Sequence, residues 1–411
     1  MRTLIVCHYF APEIGAPQTR WSEMARYWAE AGDAVTVLTG MPNHPTGVVH
    51  PAYRGKIRVE EDRDGYRVVR TWLYATPNEG IVKKTLGHLS FMATSVVLGG
   101  RRSGPADVVV VSSPTFFSIL SAWVLARFKK ARLVVEIRDL WPAIFVELGV
   151  LTNRWLIRGL EAMELAAYRA ADVVVVVSDG FRDNLIERGV PAHKVHTIRN
   201  GVDLERFNPD RIPAADTRTR LGAGSGETLV LYLGAHGISH GLVSIADAAA
   251  LLTDEPVHFA FVGEGAAKRD LARRVADLRL GSVTLLPGVP SDEVPDLLAA
   301  ADICLVPLRD VPLFSTFIPS KLFEYFGAGK AVVGAVRGEP AQILREGGAV
   351  VVEPEDTAAI AAAIRELAAD PQRREAMGRH ARRYVEEHFD RRELARRYRD
   401  LLLAATAKVR A

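Results

Sequence analysis

Short apolar runs alternate along the chain with stretches whose apolar positions recur every three to four residues. "TLIVCHYF" (3–10) precedes "TRWSEMARYWAEAG" (19–32), and "AVTVLTG" (34–40) follows at once. The alternation continues through "DVVVVSSP" (107–114), a helical pattern near 116–128, "RLVVEIRDLW" (132–141), another helix near 154–170 and "DVVVVVS" (172–178). Val-rich runs without a polar face predict strands buried on both sides, and therefore a parallel sheet covered by helices. The pattern restarts at "TLVLYLGA" (228–235). It runs on through "VHFAFVGEG" (257–265), "VTLLPGV" (283–289), "ADICLVPL" (301–308), "AVVGAV" (331–336) and "GAVVVEP" (348–354). Two doubly wound α/β domains in series are the simplest account. The join is expected in "TIRNGVDLERFNPD" (197–210), where Asn-Gly and Asn-Pro interrupt the pattern. From about 371 onward the chain reads as helices whose Arg and Glu residues form a solvated face.

Composition narrows the functional classes. A chain of 411 residues is too long for one core and suits two domains. Its 52 basic and 49 acidic residues leave a net charge of +3, without the concentrated basic excess of a general nucleic-acid binder. Cys7 and Cys304 lie in separate strand-like runs and define no disulfide framework, as in a reducing cytoplasm. "MRTLIVCHYFAPE" reads as a first strand, not a signal peptide, and no run of 18 apolar residues predicts a membrane span. One segment keeps a membrane surface in play. Residues 81–102, "IVKKTLGHLSFMATSVVLGGRR", are apolar with Lys83, Lys84, Arg101 and Arg102 at the ends. They read either as a half-buried helix or as an interfacial one facing anionic headgroups.

Open α/β sheets bind ligands beyond the carboxyl ends of their strands, so two such sheets facing one another predict a central cleft. The loops after the strands are where chemistry is expected. "HYFAPEIGAPQTRW" (8–21) is either a turn or a loop whose backbone at Gly15 and Ala16 meets phosphate at a helix start. "TGMPNHPTG" (39–47) offers Asn43 and His44, and "RDLWPA" (138–143) places Arg138 beside Asp139. That pair serves either as an internal structural contact or as a group that takes a proton or a sugar hydroxyl. In the second half, "GAHGISHG" (234–241) holds Gly234, His236 and His240 in a strand-to-helix loop. No cysteine or third ligand is near enough in sequence to complete a zinc site. "VGEG" (262–265), with Gly263 and Glu264, suits the border of a flat base, and Arg309 sits in a long loop after a strand.

"FIPSKLFEYFGAGKAVV" (317–333) carries the strongest signal. Pro319 is suited to begin a helix. Ser320, Lys321 and Leu322 then fall in the first turn, where free backbone N–H groups attract anions. Glu324 lies one turn on, near the face of Lys321. The pair is either an ordinary ion pair or a site for a nucleoside diphosphate, with the carboxylate on the ribose diol.

"IRNGVDLERFNP" (198–209), "VGEG" (262–265), "ADICLVPL" (301–308) and "KLFEYFGAGKAVVG" (321–334) resemble the retaining glycosyltransferases of family 4. "HYFAPEIGAPQTRWSEMARYWAEAGDAVTVLTGMPNHPTG" (8–47) with "RDLWP" (138–142) is similar to a narrower branch, the bacterial N-acetyl-L-fucosamine and colanic-acid transferases. The resemblance implies the GT-B fold. An acceptor-binding Rossmann-like domain would span 1–203, a nucleotide-sugar domain 204–385, and a final helix, 386–411, would pack back on the first domain. It also implies a retaining, metal-independent enzyme without cofactor. Such an enzyme passes a sugar, of N-acetylhexosamine type, from a donor, UDP-linked by branch resemblance, to a lipid-linked saccharide or other glycan. A cytoplasmic location, peripheral on the inner membrane face, would suit that work. Asp139, Lys321 and His240 are then the candidate catalytic groups. Gly15, Ala16, Gly234, His236, Gly263, Glu264, Arg309, Ser320, Lys321, Leu322 and Glu324 would serve the donor. Asn43, His44, Arg138 and Asp139 would serve the acceptor. The chain departs from the family pattern at Thr316, where an acid is usual, and at Ala235 and His240, where Arg and Lys usually hold the diphosphate. Lys321 and Arg309 are the expected substitutes. A soluble natural-product acceptor, a UDP-sugar 2-epimerase and a non-catalytic nucleotide-sugar-binding subunit stay open as alternatives.

Overall fold

The Val-rich runs form the centres of two separate sheets. A computed structural model describes all residues except 14, 45, 78–79, 113–115, 148, 150, 215 and 408–411. The chain divides into two compact units, Met1–Arg199 with Arg392–Ala411, and Asn200–Arg391.

Unit 1 contains β1 (Arg2–Val6), β2 (Ala34–Gly40), β3 (Arg58–Arg63), β4 (Tyr66–Thr71), β5 (Val108–Ser112), β6 (Arg132–Ile137), β7 (Val173–Val176) and β8 (Val195–Thr197). They form one sheet in the order β3-β4-β2-β1-β5-β6-β7-β8. All neighbours are parallel except β3 and β4, an antiparallel hairpin that the sequence reading passed over. Asp64 and Gly65, at φ 47° and 81°, make its two-residue turn, and Asp-Gly between alternating residues is the signal that could have found it. The apolar run at 107–114 becomes β5, with its last two residues outside the described ones.

The helix Ala16–Glu30 buries Trp21, Met24 and Trp28 against β1, β2 and β5 residues such as Ile5, Val37 and Val110. Each such side chain contributes about 1.5–3 kcal/mol of burial. Arg20 lies on the same helix and is fully buried. Its guanidinium donates to both carboxylate oxygens of Glu136 on β6, at 3.0–3.2 Å, and to the Ile198 and Arg199 carbonyls. The helix Arg391–Ala407 completes this core. Trp28 Nε1 donates to the Ala395 carbonyl at 2.9 Å, and Tyr398 stands edge-on to Trp28 with ring centres 5.4 Å apart. Arg399 and the N-terminal ammonium both reach Asp33.

Unit 2 contains β9 (Thr228–Leu233), β10 (Val257–Val262), β11 (Val283–Leu286), β12 (Ile303–Pro307), β13 (Ala331–Ala335) and β14 (Val350–Val352). The order is β11-β10-β9-β12-β13-β14, all parallel. This is the doubly wound order that reverses beside its first strand, so the loops after β9 and β12 open a crevice. Val230, Phe259, Phe261, Ile303 and Leu305 fill the core under the helices.

Candidate functional site

In unit 2, the loops after β9 and β10 are zipped together by backbone. Gly234 N–H donates to the Val262 carbonyl at 2.9 Å, His236 N–H to Glu264 at 2.8 Å, and Ala267 N–H to His236 at 2.8 Å. This close approach explains the "VGEG" motif. A Cβ on Gly263 would lie 1.8 Å from the Gly234 oxygen, and one on Gly265 2.4 Å from the His236 oxygen. The Glu264 carboxylate pairs with Lys268 at 2.7 Å.

Tyr232, the penultimate residue of β9, is the platform of the site. Its hydroxyl donates to the Ala235 carbonyl at 2.6 Å. The Lys321 ammonium lies 3.6 Å from its ring centre, while His236 and His240 lie with ring centres 5.7 and 5.9 Å away. Lys321 Nζ, both ring nitrogens of His236 and Nδ1 of His240 are buried without hydrogen-bond partners. Lys321 therefore does not form the ordinary ion pair with Glu324, which acts on it only through its field. Burial holds the Lys321 ammonium down at about 7, with Glu324 opposing. Burial likewise lowers His236 to about 4, helped by Lys268 and Lys321, and His240 to about 3, helped by Lys321. Near neutrality both imidazoles are uncharged.

The helix that carries Lys321 is positioned by apolar burial. Leu322, Phe323, Tyr325 and Phe326 are buried, and the Tyr325 hydroxyl accepts from Leu233 N–H at 3.0 Å and donates to the Leu233 carbonyl at 3.1 Å. This pins Lys321–Gly327 to the end of β9. The helix begins at Lys321, not at Pro319, and the Leu322 N–H is not free as expected, because it already donates to the Pro319 carbonyl at 3.1 Å. Ser320 makes no side-chain cap. The Thr316 hydroxyl bonds the Leu313 carbonyl inside its own turn. Arg309 packs beside the 237–241 turn, where its N–H meets the Ser239 carbonyl at 2.9 Å. Gly234 leaves room for Lys321, whose Nζ would lie 3.2 Å from an added Cβ.

In unit 1, Glu13 organises the loops after β1 and β2. One carboxylate oxygen accepts the Asn43 and His44 N–H groups, both at 2.7 Å, and the other accepts Phe10 N–H at 3.0 Å. Burial raises its pKa against these three donors. The Asn43 side chain donates to the Met41 carbonyl. The half-buried Asp139 lies beside Arg138, and desolvation raises its pKa with Arg138 opposing. Gly15 precedes the helix Ala16–Glu30 in extended backbone, with Gln18 folded over it, and no side chain caps this start. The expected acceptor residues follow different strands. Asn43 and His44 lie beyond β2 and Arg138 and Asp139 beyond β6, three places along the sheet, about 14 Å at ordinary strand spacing.

Residues 15–201 match the family described as glycosyl transferase 4-like domain, and residues 227–370 match glycosyl transferases group 1. The chain belongs to the family 4/group 1 glycosyltransferases. This glycosyltransferase is 28% identical over 409 residues to WcaI of Escherichia coli K12, named for colanic acid biosynthesis, covering 97% of this chain and 98% of that one. It is 26% identical over 377 residues to the sulfoquinovosyl transferase SQD2 of Arabidopsis thaliana, covering 90% of this chain and 67% of that one. The fold is GT-B. HepE of Anabaena, solved in complex with UDP-glucose, superposes with a TM-score of 0.73 at 18% identity over 98% of this chain and 100% of its own.

Sequence reasoning about this glycosyltransferase missed Tyr232 and Glu13. Tyr232 looked like one more apolar strand residue in "TLVLYLGA", and only its hydroxyl marked it. Glu13, an acid in a loop otherwise apolar between two prolines, was the legible hint for the other.

Proposed function

We propose that this glycosyltransferase moves a sugar, of N-acetylhexosamine type, from a UDP-linked donor to a hydroxyl of a lipid-linked saccharide or other glycan. The transfer retains anomeric configuration and uses no metal ion. The observation that carries the reading is the buried Lys321 ammonium on the Tyr232 ring, without a hydrogen-bond partner and beside imidazole nitrogens that also lack one. Buried polar groups without partners are costly. A diphosphate presents several anionic oxygens and would accept from the Lys321 ammonium and from one His236 N–H, while its charge favours protonation of the remaining imidazole nitrogens. The match to WcaI, named for colanic acid biosynthesis, supports a glycan product, and the UDP-glucose complex of HepE supports the choice of donor.

In this reading the acceptor oxygen bonds to the anomeric carbon as the bond from that carbon to the diphosphate oxygen breaks. The electron pair leaves on the diphosphate, and the hydroxyl proton passes to a departing oxygen. Lys321 stabilises the charge that grows there, joined by His240 when the diphosphate beside it favours the imidazolium, which lowers the barrier because the interaction strengthens in the transition state. Glu324 accepts the ribose hydroxyls, and Arg309, His236 and the backbone at Gly263 complete the donor side within unit 2. Asn43, His44, Arg138 and Asp139 serve the acceptor. No described helix is long and apolar enough to cross a membrane. Contact with an anionic cytoplasmic face would come through 81–102, where Val82 and Val97 are exposed near Lys83, Lys84, Arg101 and Arg102.

Calorimetric titration with UDP, GDP and ADP, with and without EDTA, tests the reading. UDP binding that ignores EDTA and falls about tenfold or more in Lys321→Ala is expected, since hydrogen bonds to charged groups are worth about 1.5–3 kcal/mol. Equal affinity in that variant, or no nucleotide binding, would overturn it. The anomeric configuration of the product, read by NMR, decides retention.

A further inference from the structure

A second set of cationic and imidazole groups gathers in unit 1, and the transfer reaction as derived above makes no use of most of it. His8 and Tyr9 follow β1, His44 follows β2, and Lys84 and His88 stand one turn apart on the helix Ile81–Thr94. His8 and His88 have ring centres 4.5 Å apart, Tyr9 and His44 5.2 Å, and His88 stacks on Phe117 at an interplanar angle of 19°. His8 is buried, and its Nδ1 and that of His88 have no hydrogen-bond partner.

The charges that act on the cluster are the Lys84 ammonium and the Glu13 carboxylate. Burial lowers His8 well below the ordinary imidazole range, and His88 and His44 add to the shift. His44 and His88 are lowered by burial and then by Lys84. Burial raises Tyr9 to about 12, helped by the nearby Glu13 carboxylate, whose two oxygens already accept three backbone N–H groups. The site therefore holds several donors, a lysine and buried ring nitrogens in want of a partner, walled by aromatic rings.

We propose that His8, His44, His88 and Lys84 form a phosphate-binding site in unit 1, distinct from the Lys321 site, which holds a phosphate group of the acceptor. A phosphate spreads charge over several acceptor oxygens, which suits donors that come from three separate segments. A carboxylate offers only two oxygens. Only the word acceptor rests on the glycosyltransferase reading; the anion site stands on this geometry alone. The phosphate belongs either to a lipid headgroup or to a soluble phosphorylated sugar.

The test is calorimetry on the full chain with farnesyl phosphate, glucose 1-phosphate and farnesol, with UDP absent and saturating. Lys84→Ala changes an exposed residue, and His88→Gln keeps a polar side chain; thermal melts of both verify folding. Phosphate-dependent binding that persists under UDP and in Lys321→Ala, and weakens about tenfold in each unit 1 variant, supports the site. Tighter binding of farnesyl phosphate identifies a lipid headgroup, and equal or tighter binding of glucose 1-phosphate a soluble acceptor. Farnesol binding as tightly as farnesyl phosphate, unchanged affinity in folded variants, loss of phosphate binding under UDP, or no binding of either phosphate overturns it. Failure of UDP to bind would sink the donor reading and leave this result standing.

Discussion

The ammonium of Lys321 rests 3.6 Å from the centre of the Tyr232 ring and donates a hydrogen bond to nothing in the protein. An aromatic face attracts a cation, but it does not replace the hydration that burial removes. The charge is held ready for an anion.

This arrangement makes nucleotide binding depend on pH. Burial lowers Lys321 from 10.5 to about 7, so above pH 7 the free folded protein loses a proton that the unfolded chain keeps. A bound diphosphate favours the ammonium and raises that pKa again. Above pH 7, UDP binding takes up a proton, and affinity falls with rising pH by at most about tenfold per unit. Below pH 7 this group is already charged and contributes no slope. Titrations in buffers of different ionisation enthalpy would read the proton uptake directly, and a flat profile from pH 7 to 9 would remove Lys321 from the diphosphate site.

Gly263→Ala separates the frame of the site from its charges. The added Cβ would meet the Gly234 oxygen at 1.8 Å and force the two loops apart. Overpacking of this kind costs about 1–3 kcal/mol. UDP affinity should drop with the displaced His236 and Gly234, although no ligand-facing side chain is removed. Calorimetry and denaturant unfolding of the variant measure the two effects separately.

Tyr398→Ala tests how the last helix supports unit 1. The ring is fully buried between Trp21 and Trp28, on a helix also held by the Trp28–Ala395 hydrogen bond. Removing a large buried side chain costs about 3–5 kcal/mol. Urea unfolding followed by tryptophan fluorescence should show the loss, and a variant as stable as the parent would mean that the helix is not part of this core.

Much of the architecture was legible in the residues. Runs such as "DVVVVSS" and "ADICLVPL" declare buried strands because alternation and length are local properties, and the helices between them imply parallel order. Lys321 and Glu324 stood out for a similar reason, as charges in an otherwise apolar helix. The β3–β4 hairpin escaped because its strands are half polar, as an edge pair can be, and only Asp64-Gly65 announced its turn.

The sequence by itself determined the two sheets, the helices that cover them and the loops where chemistry gathers, since these follow from patterns a few residues long. Tertiary structure alone decided the partners. It set Tyr325 on Leu233, 92 positions away, and Arg20 on Glu136, 116 positions away. It turned Lys321 toward Tyr232 instead of Glu324, and it brought His8, His44 and His88 together from three segments. The physical reason is that burial and charge act through space. The same lysine is a solvated ion or a poised one according to which distant strand lies against it.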